Sequence, residues 1–578
     1  MRKILRADMS SLKVVTEDIP KGYEKLGGRG LTSTIVCGEV SPTCHPLGKF
    51  NKLVIAPGVL SGTNLANSGR LSVGCKSPLT AGIKESNVGG NAPAKLGRLG
   101  IGAIVIEGLL QNKGLYILRI TKSGAELISG EEYQGLKNYE LVSQLQAKYG
   151  KKIGVLSIGP VGEMKLSTAT IACTDVDGVP CRHAARGGPG AVMGSKGLKA
   201  IIVDDQDAGG VQIAERDKFK EAGKVFANAI VNYPFTDALK TFGTNFLVAP
   251  INAAGGYPTR NFREGTFEGA DTVSGEFMHE LITKRGGKFG HQGCSNCVIH
   301  CSNVYVDEKG TPITSSFEFE TIWAQGANLG ISDLDSIARA DRLCDEYGID
   351  TMEIGQAIGV AMDAGIREFG DSKGALELIQ EVGKGSPLGK ILGAGAWVTG
   401  KVLGITRVPV VKKQGMAGYE PRAIHGIGVT YATSPMGADH TAGWTVGRNL
   451  EAMGGDLHPH KPDGQVDASR DSQVNVAGMD CTGLCNFTNF HIGDVENNPN
   501  AGKAFVDLMS AFYGSQVTID DIQAEGRKIL SMERDFNLKA GFTQADDRLP
   551  EFMYEEEIPP HNVVFTVPGK ELDLLFNF

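Results

Sequence analysis

The chain has 578 residues, 41% of them hydrophobic and 21% charged, more than a single core supports, and so predicts about two or three globular domains. Its 78 glycines follow no period, which excludes a collagen-like chain, and a net charge of −8 offers no electrostatic footing for nucleic acid. Met1-Arg2-Lys3 leads straight into an alternating run, and apolar stretches such as Gly102-Ala103-Ile104-Val105-Ile106 are too short to span a bilayer. A soluble, cytoplasmic protein without a secretory leader or membrane span is expected.

Residues 1–205 read as β-rich. A hairpin is predicted over Ile4 to Ile19, turning at Met9-Ser10-Ser11. Further strands are predicted at Leu53–Ala56, Ala103–Ile106, Leu115–Leu118, Ile153–Leu156 and Ala200–Val203, bounded mostly by Gly, Pro, Asn or Asp. After Asp204-Asp205 the period changes to that of a helix, first over Ala214 to Ala229. The next helix is expected from Asp333 to Tyr347, with Ser332 as its N-cap and Gly348 as its C-terminal stop. Asp350 then caps another helix, with Glu353 placed to close a capping box. Beyond residue 410, glycine-rich loops alternate with helices such as Ala504 to Tyr513. The expected fold class is α+β: a β-rich domain (1–205) followed by two mainly helical domains (206–410 and 411–578).

Eleven cysteines, an odd number scattered through a large chain, do not read as a disulfide framework. Three of them, Cys294-x-x-Cys297-x-x-x-Cys301, are spaced so that one loop-to-helix turn would wrap a cubic cluster. Soft thiolates suit an iron–sulfur cluster or zinc. A 4Fe–4S cluster needs a fourth ligand, for which Cys485 leads and Cys481 is the spare. Zinc is the competing reading, and the order is the reverse of the radical-SAM triplet. Cys344 reads as a packing residue, and Glu276-x-x-His279 as a solvated helix face rather than a metal pair.

The motifs around these cysteines resemble the aldehyde:ferredoxin oxidoreductase family over essentially the whole chain. The family's two Asp-x-x-Gly-Leu-(Asp/Cys) signatures are matched by Asp345-Glu346-Tyr347-Gly348-Ile349-Asp350 and Asp480-Cys481-Thr482-Gly483-Leu484-Cys485. Ile349 replaces the usual leucine, a volume-conserving change. The resemblance implies that Cys485 completes a 4Fe–4S cluster with Cys294, Cys297 and Cys301. It also implies that Asp345 and Asp480 accept hydrogen bonds from two pterins carrying tungsten, within turns built by Gly348, Ile349, Asp350, Gly483 and Leu484. Arg70, in Asn67-Ser68-Gly69-Arg70, matches an arginine between cluster and pterin. Asn87-Val88-Gly89-Gly90 and Arg186-Gly187-Gly188-Pro189-Gly190 resemble loops that approach the pterin phosphates, where a bridging magnesium ion is a further expectation.

The resemblance also places Glu320 and His440 near the metal. Glu320 would act as base toward water or a hydrated aldehyde, and His440 would hydrogen-bond the carbonyl oxygen or an oxo ligand. Glu318, two residues away, stays open as the acid, since on an extended segment both face one side. The implied activity is oxidation of a small aldehyde to its acid, with electrons passing to ferredoxin. Tungsten and molybdenum share the pterin and are not separated. Two alternatives remain: the catalytic subunit of a larger tungsten reductase acting on an aromatic acyl thioester with cluster-bearing partner subunits, and a zinc-stabilised binding protein. A homo- or hetero-oligomer is compatible with either tungsten reading.

Overall fold

The computed structural model describes residues 2–578. Strands Lys13–Asp18, Lys3–Asp8, Ile101–Glu107, Leu53–Pro57, Arg70–Lys76 and Ile83–Gly89 lie side by side in that order in one six-stranded sheet. A second comprises Arg182–Ala184, Ile171–Cys173, Gly154–Ser157, Leu198–Val203, Tyr116–Thr121 and Gly124–Ser129. The period-two alternation of a strand decides how they stack. Leu53, Ile55, Ile104 and Ile106 point inward to meet Leu118, Leu156 and Ile201 of the second sheet. Val54, Ala56, Ala103 and Val105 point outward and are covered by Ile35 and Val36 of helix Gly28–Glu39. Leu141 and Leu145 of helix Asn138–Tyr149 cover Val155 and Ile202 on the far side. Burial on both faces explains why these strands read as continuous apolar runs.

The remainder is mainly helical. One large core holds Tyr257, Trp323, Ile354, Tyr419, Tyr431 and Phe565, so segments on either side of residue 410 pack together. Helix Arg216–Val231 lies against helix Pro499–Tyr513 through Phe219, Phe226, Phe505 and Leu508. No helix among the described residues is long and apolar enough to cross a membrane.

Two caps differ from the local pattern. Asp333, not Ser332, caps helix Leu334–Tyr347, because its carboxylate reaches the N–H groups of Asp335 and Ser336. Asp350 does cap helix Thr351–Asp363, but Glu353 turns away and accepts from Ala396 N at 3.0 Å and Gly415 N at 2.8 Å. Two buried tertiary donors outcompete the local box.

Candidate active site

The cysteine triplet occupies a loop between two antiparallel strands, Lys288–His291 and Ser302–Val306, rather than the expected loop-to-helix turn. Asn67, in left-handed backbone at φ 59°, pins this loop to the C-terminal half. Its N–H donates to Asn296 O at 2.9 Å, its Oδ1 accepts from Val298 N at 2.8 Å, and its carbonyl accepts from Cys485 N at 2.9 Å. Cys294, Cys297, Cys301 and Cys485 thereby line one cavity of about 250 Å³. Cys481 lies elsewhere, in a small core with Ile529, its thiol donating to Ala477 O at 3.3 Å.

No three of the four lining sulfurs fall within 4.8 Å of one another. A zinc tetrahedron with bonds of about 2.3 Å holds its sulfurs roughly 3.8 Å apart, so this ring of thiols is wider than a zinc site. Burial pushes the Cys297 thiol up to about 12 and raises Cys301 and Cys485 as well.

Two arginines face the same cavity. Arg70 heads strand Arg70–Lys76 opposite Gly89, and its Nε donates to Asn87 Oδ1 at 2.6 Å. Gly89 is needed for close approach: a Cβ there would sit 2.3 Å from Cys294 Sγ and 3.0 Å from Arg70 Nη1. Gly90 O holds Ser295 N at 3.0 Å, tying strand end to cysteine loop. Arg182, absent from the sequence reading, is buried with Nε and Nη2 lacking partners, and its Nη1 lies 3.7 Å from Glu318 Oε1.

Arg70 also lines a second cavity of about 170 Å³, together with Arg29, Glu85, Asn87, Arg186 and Asp480. Asp480 ends helix Gln465–Met479, 3.5 Å from Arg29 Nη1, and Arg29 is held by a bidentate pair with Glu533 at 3.0 and 2.8 Å. Burial, then the neighbouring Glu85, push the Asp480 carboxyl up to about 8 against the pull of Arg29 and Arg70. Glu85 is likewise raised by burial, and its Oε1 has no partner. Arg186 donates to Ala438 O at 3.3 Å, while its Nε, 3.4 Å from Asp350 Oδ2, makes no hydrogen bond. Gly187 and Gly188 lead into helix Pro189–Ser195 and pack on Lys84 and Ser167.

The two Asp-x-x-Gly turns are not equivalent. Asp480 and Cys485 line the two cavities from either end of one turn, with Gly483 at φ 85° and Leu484 buried between them. Asp345 lines neither cavity. Its carboxylate contacts His183 Nε2 at 2.9 Å and accepts from Tyr139 Oη at 3.1 Å, and it is His183 that faces the second cavity. Gly348 is the left-handed stop of helix Leu334–Tyr347, Ile349 enters the core, and Asp350 caps the next helix.

Glu320 and His440 both line the cysteine cavity. The segment is not extended there: Glu318 is the N-cap and Glu320 lies in the first turn of helix Phe319–Gln325. The two acids take different partners in consequence. Glu318 accepts from Thr244 Oγ1 at 2.8 Å, and burial raises its carboxyl despite Arg182. Glu320 Oε1 lies 3.1 Å from His440 Nε2 and accepts from Tyr419 Oη at 2.8 Å. Burial alone would push Glu320 up, but His440 and Tyr419 together outweigh it and hold the carboxyl below its ordinary value. His440 Nδ1 is buried without a partner. Asp439, locked by Lys84 Nζ at 2.6 Å, caps the short turn that carries His440. The signal for Lys84 and Glu85 was present: four consecutive polar residues, Lys84 to Asn87, make up most of strand Ile83–Gly89, and Lys84, Glu85 and Ser86 are buried. Tyr419 and Arg182 carry no local signal.

Profiles of the aldehyde ferredoxin oxidoreductase family match residues 4–205 (N-terminal domain) and 221–573 (domains 2 and 3). Tungsten-containing aldehyde ferredoxin oxidoreductases of Pyrococcus furiosus and Thermococcus kodakarensis are 34% and 35% identical, over 99% and 96% of this chain and 94% and 92% of theirs. The WOR-like subunit of an aliphatic sulfonate oxidoreductase of Pyrococcus furiosus is 26% identical over 98% of this chain and 92% of its own. Among solved structures, the active-site complex BamBC of benzoyl coenzyme A reductase with 1,5-dienoyl-CoA superposes with a TM-score of 0.79 at 18% identity, over 99% of this chain and 93% of its own. Likeness at that identity speaks for the fold alone. The chain belongs to the aldehyde ferredoxin oxidoreductase family and is an oxidoreductase.

Proposed function

We propose that the protein oxidises an aldehyde to its carboxylic acid and passes the electrons singly to ferredoxin. The observation that carries this reading is the joining of two cavities through Arg70, one lined by four cysteines with Glu320 and His440, the other by paired acids and arginines. Cys294, Cys297, Cys301 and Cys485 would hold a 4Fe–4S cluster. Arg29, Arg70, Arg186, Glu85, Asp480 and, backed by Asp345, His183 would hold a tungsten bis-pterin, with magnesium as a further ion. The unpartnered Arg186 Nε and Glu85 Oε1 suit the acceptors and donors of a phosphorylated pterin. When bound, the tungsten centre supplies the two-electron redox change.

The balance is one aldehyde and one water giving one carboxylate, three protons and two electrons; a C–H bond breaks and a C–O bond forms. Both contacts to Glu320 fall on Oε1, which leaves Oε2 to take a proton from water or from the aldehyde hydrate. The lowered carboxyl keeps Glu320 ionised, as a base must be. His440 Nε2 faces Glu320, so Nδ1 is the nitrogen turned to substrate, an acceptor in the neutral ring and a donor in the protonated one.

Metal analysis of anaerobically purified protein tests the reading, followed by aldehyde-dependent viologen reduction. About one tungsten and about four iron per chain, with turnover that Glu320→Gln abolishes, are expected. Zinc without iron or tungsten refutes it.

A further inference from the structure

The cysteine cavity meets a larger vestibule of about 1380 Å³, and the residues common to both walls are Phe235, Phe246, Trp444 and Phe490. All four are aromatic and half-buried. They arrive from four separate segments: helix Pro234–Phe242, turn Gly243–Leu247, the chain after turn His440–Ala442, and helix Thr488–Gly493. Phe235 meets Phe246 edge-on at 5.8 Å and 83°, and Trp444 meets Phe490 at 5.3 Å and 89°. Phe235 and Phe490, 5.2 Å apart, join the two pairs. Inside them, Tyr419 stands 6.2 Å from Trp444, and its hydroxyl holds Glu320. A row of rings therefore runs from the vestibule to the acid.

We propose that these four rings form a specificity-determining throat that selects neutral aryl aldehydes over aliphatic ones; the proposal rests on the aldehyde-oxidation reading. Perpendicular ring pairs expose both faces and edges, the complement of a flat aryl group entering between them. An alkyl chain gains only the area it buries, whereas an aryl ring gains the additional face-to-edge contacts. The oxidation is the same for either substrate: water supplies the oxygen, the aldehyde C–H bond breaks, and two electrons leave for ferredoxin.

The vestibule narrows the class further. Asn228, Asn232, Asn497 and Asn498 contribute neutral amides to its wall. Among the described residues lining it, Arg448 is the one cation, and Asp456 already holds it, with Nη2 to Oδ2 at 2.7 Å. A thioester carrying a phosphorylated nucleotide tail needs free cations along its path, and this wall supplies none. The rings, and a wall whose charged side chains are the ion-paired Arg448 and an Asp494 held by Tyr233 and Asn497, together fit a small uncharged aryl aldehyde.

The test compares benzaldehyde with acetaldehyde in viologen reduction by the metal-loaded enzyme, for wild type, Phe235→Leu and Phe490→Leu. Leucine keeps apolar bulk and removes only the ring. Wild type is expected to favour benzaldehyde in kcat/KM by about tenfold, and each variant to reduce that ratio by about fivefold, the size of one or two ring contacts. Calorimetric binding of benzamide, a non-oxidisable aryl probe, should weaken by a similar factor. Equal efficiencies on the two aldehydes in wild type, or variants that lower both alike, overturn the throat and leave aldehyde oxidation standing. Turnover of neither aldehyde by an enzyme with full iron and tungsten overturns both.

Discussion

Replacing Tyr419 by Phe removes one hydroxyl and leaves the ring between Trp444 and Glu320. The hydroxyl donates to Glu320 Oε1 at 2.8 Å, and the other group at that oxygen is His440 Nε2. A hydrogen bond to a charged group contributes about 1.5–3 kcal/mol, and each 1.4 kcal/mol of preference for the ionised form is about one pKa unit. His440 at 3.1 Å remains and absorbs part of the loss, so a rise of about one unit is expected. The sign follows from the role: a base acts when ionised, above its pKa, so raising that pKa moves the acidic limb of the kcat/KM profile toward higher pH. The assay is viologen reduction across pH on wild type and Tyr419→Phe, with iron and tungsten contents matched. A uniform fall in rate with an unmoved acidic limb would show that Tyr419 positions substrate and does not set the state of Glu320.

Cys485→Ser should lose the brown cluster absorption and most iron, while Cys481→Ser keeps both, because only Cys485 reaches the cavity; ultraviolet–visible spectra and iron analysis decide between them. Gly89→Ala forces a methyl 2.3 Å from Cys294 Sγ, at a cost of about 1–3 kcal/mol, and should lower iron occupancy and Tm together. Arg182→Gln removes a buried charge beside the cysteines and should make the cluster harder to reduce, shifting its potential down by tens of millivolts, about 59 mV for each tenfold change in a one-electron step. An EPR-monitored redox titration with an unchanged midpoint would remove Arg182 from any electronic role.

The sheets were legible because each strand announces itself locally: Leu53 to Ala56 and Ala103 to Ile106 are apolar on both faces and bounded by turn residues. The cysteine triplet and the glycine turns were legible for the same reason, their chemistry being written in consecutive residues. Where a local rule met a tertiary competitor, it lost. Glu353 left its capping box for Ala396 and Gly415, and Glu318 and Glu320 parted when the chain turned helical between them. Arg29 and Glu533 form a buried bidentate pair across 504 positions, and Tyr419 meets Glu320 across 99. Neither spacing leaves a period or a motif to read.

The turn from Asp480 to Cys485 is where the two cavities become one machine. Its backbone is confined on the inner side, since a Cβ on Gly58 would lie 2.0 Å from Gly483 N, and Val59 N and Leu60 N donate to Cys481 O and Thr482 O at 3.1 and 2.9 Å. Gly483, at φ 85°, carries the reversal that points Asp480 toward the arginine-lined cavity and Cys485 toward the sulfur ring. Arg70 N donates to Gly483 O at 3.2 Å, so the arginine shared by both cavities is fixed to the same turn that supplies a wall residue to each. A side chain at residue 483 would strain one backbone and displace groups in both cavities at once. Were a cluster and a pterin to fill the two cavities, this single short segment would hold their separation constant.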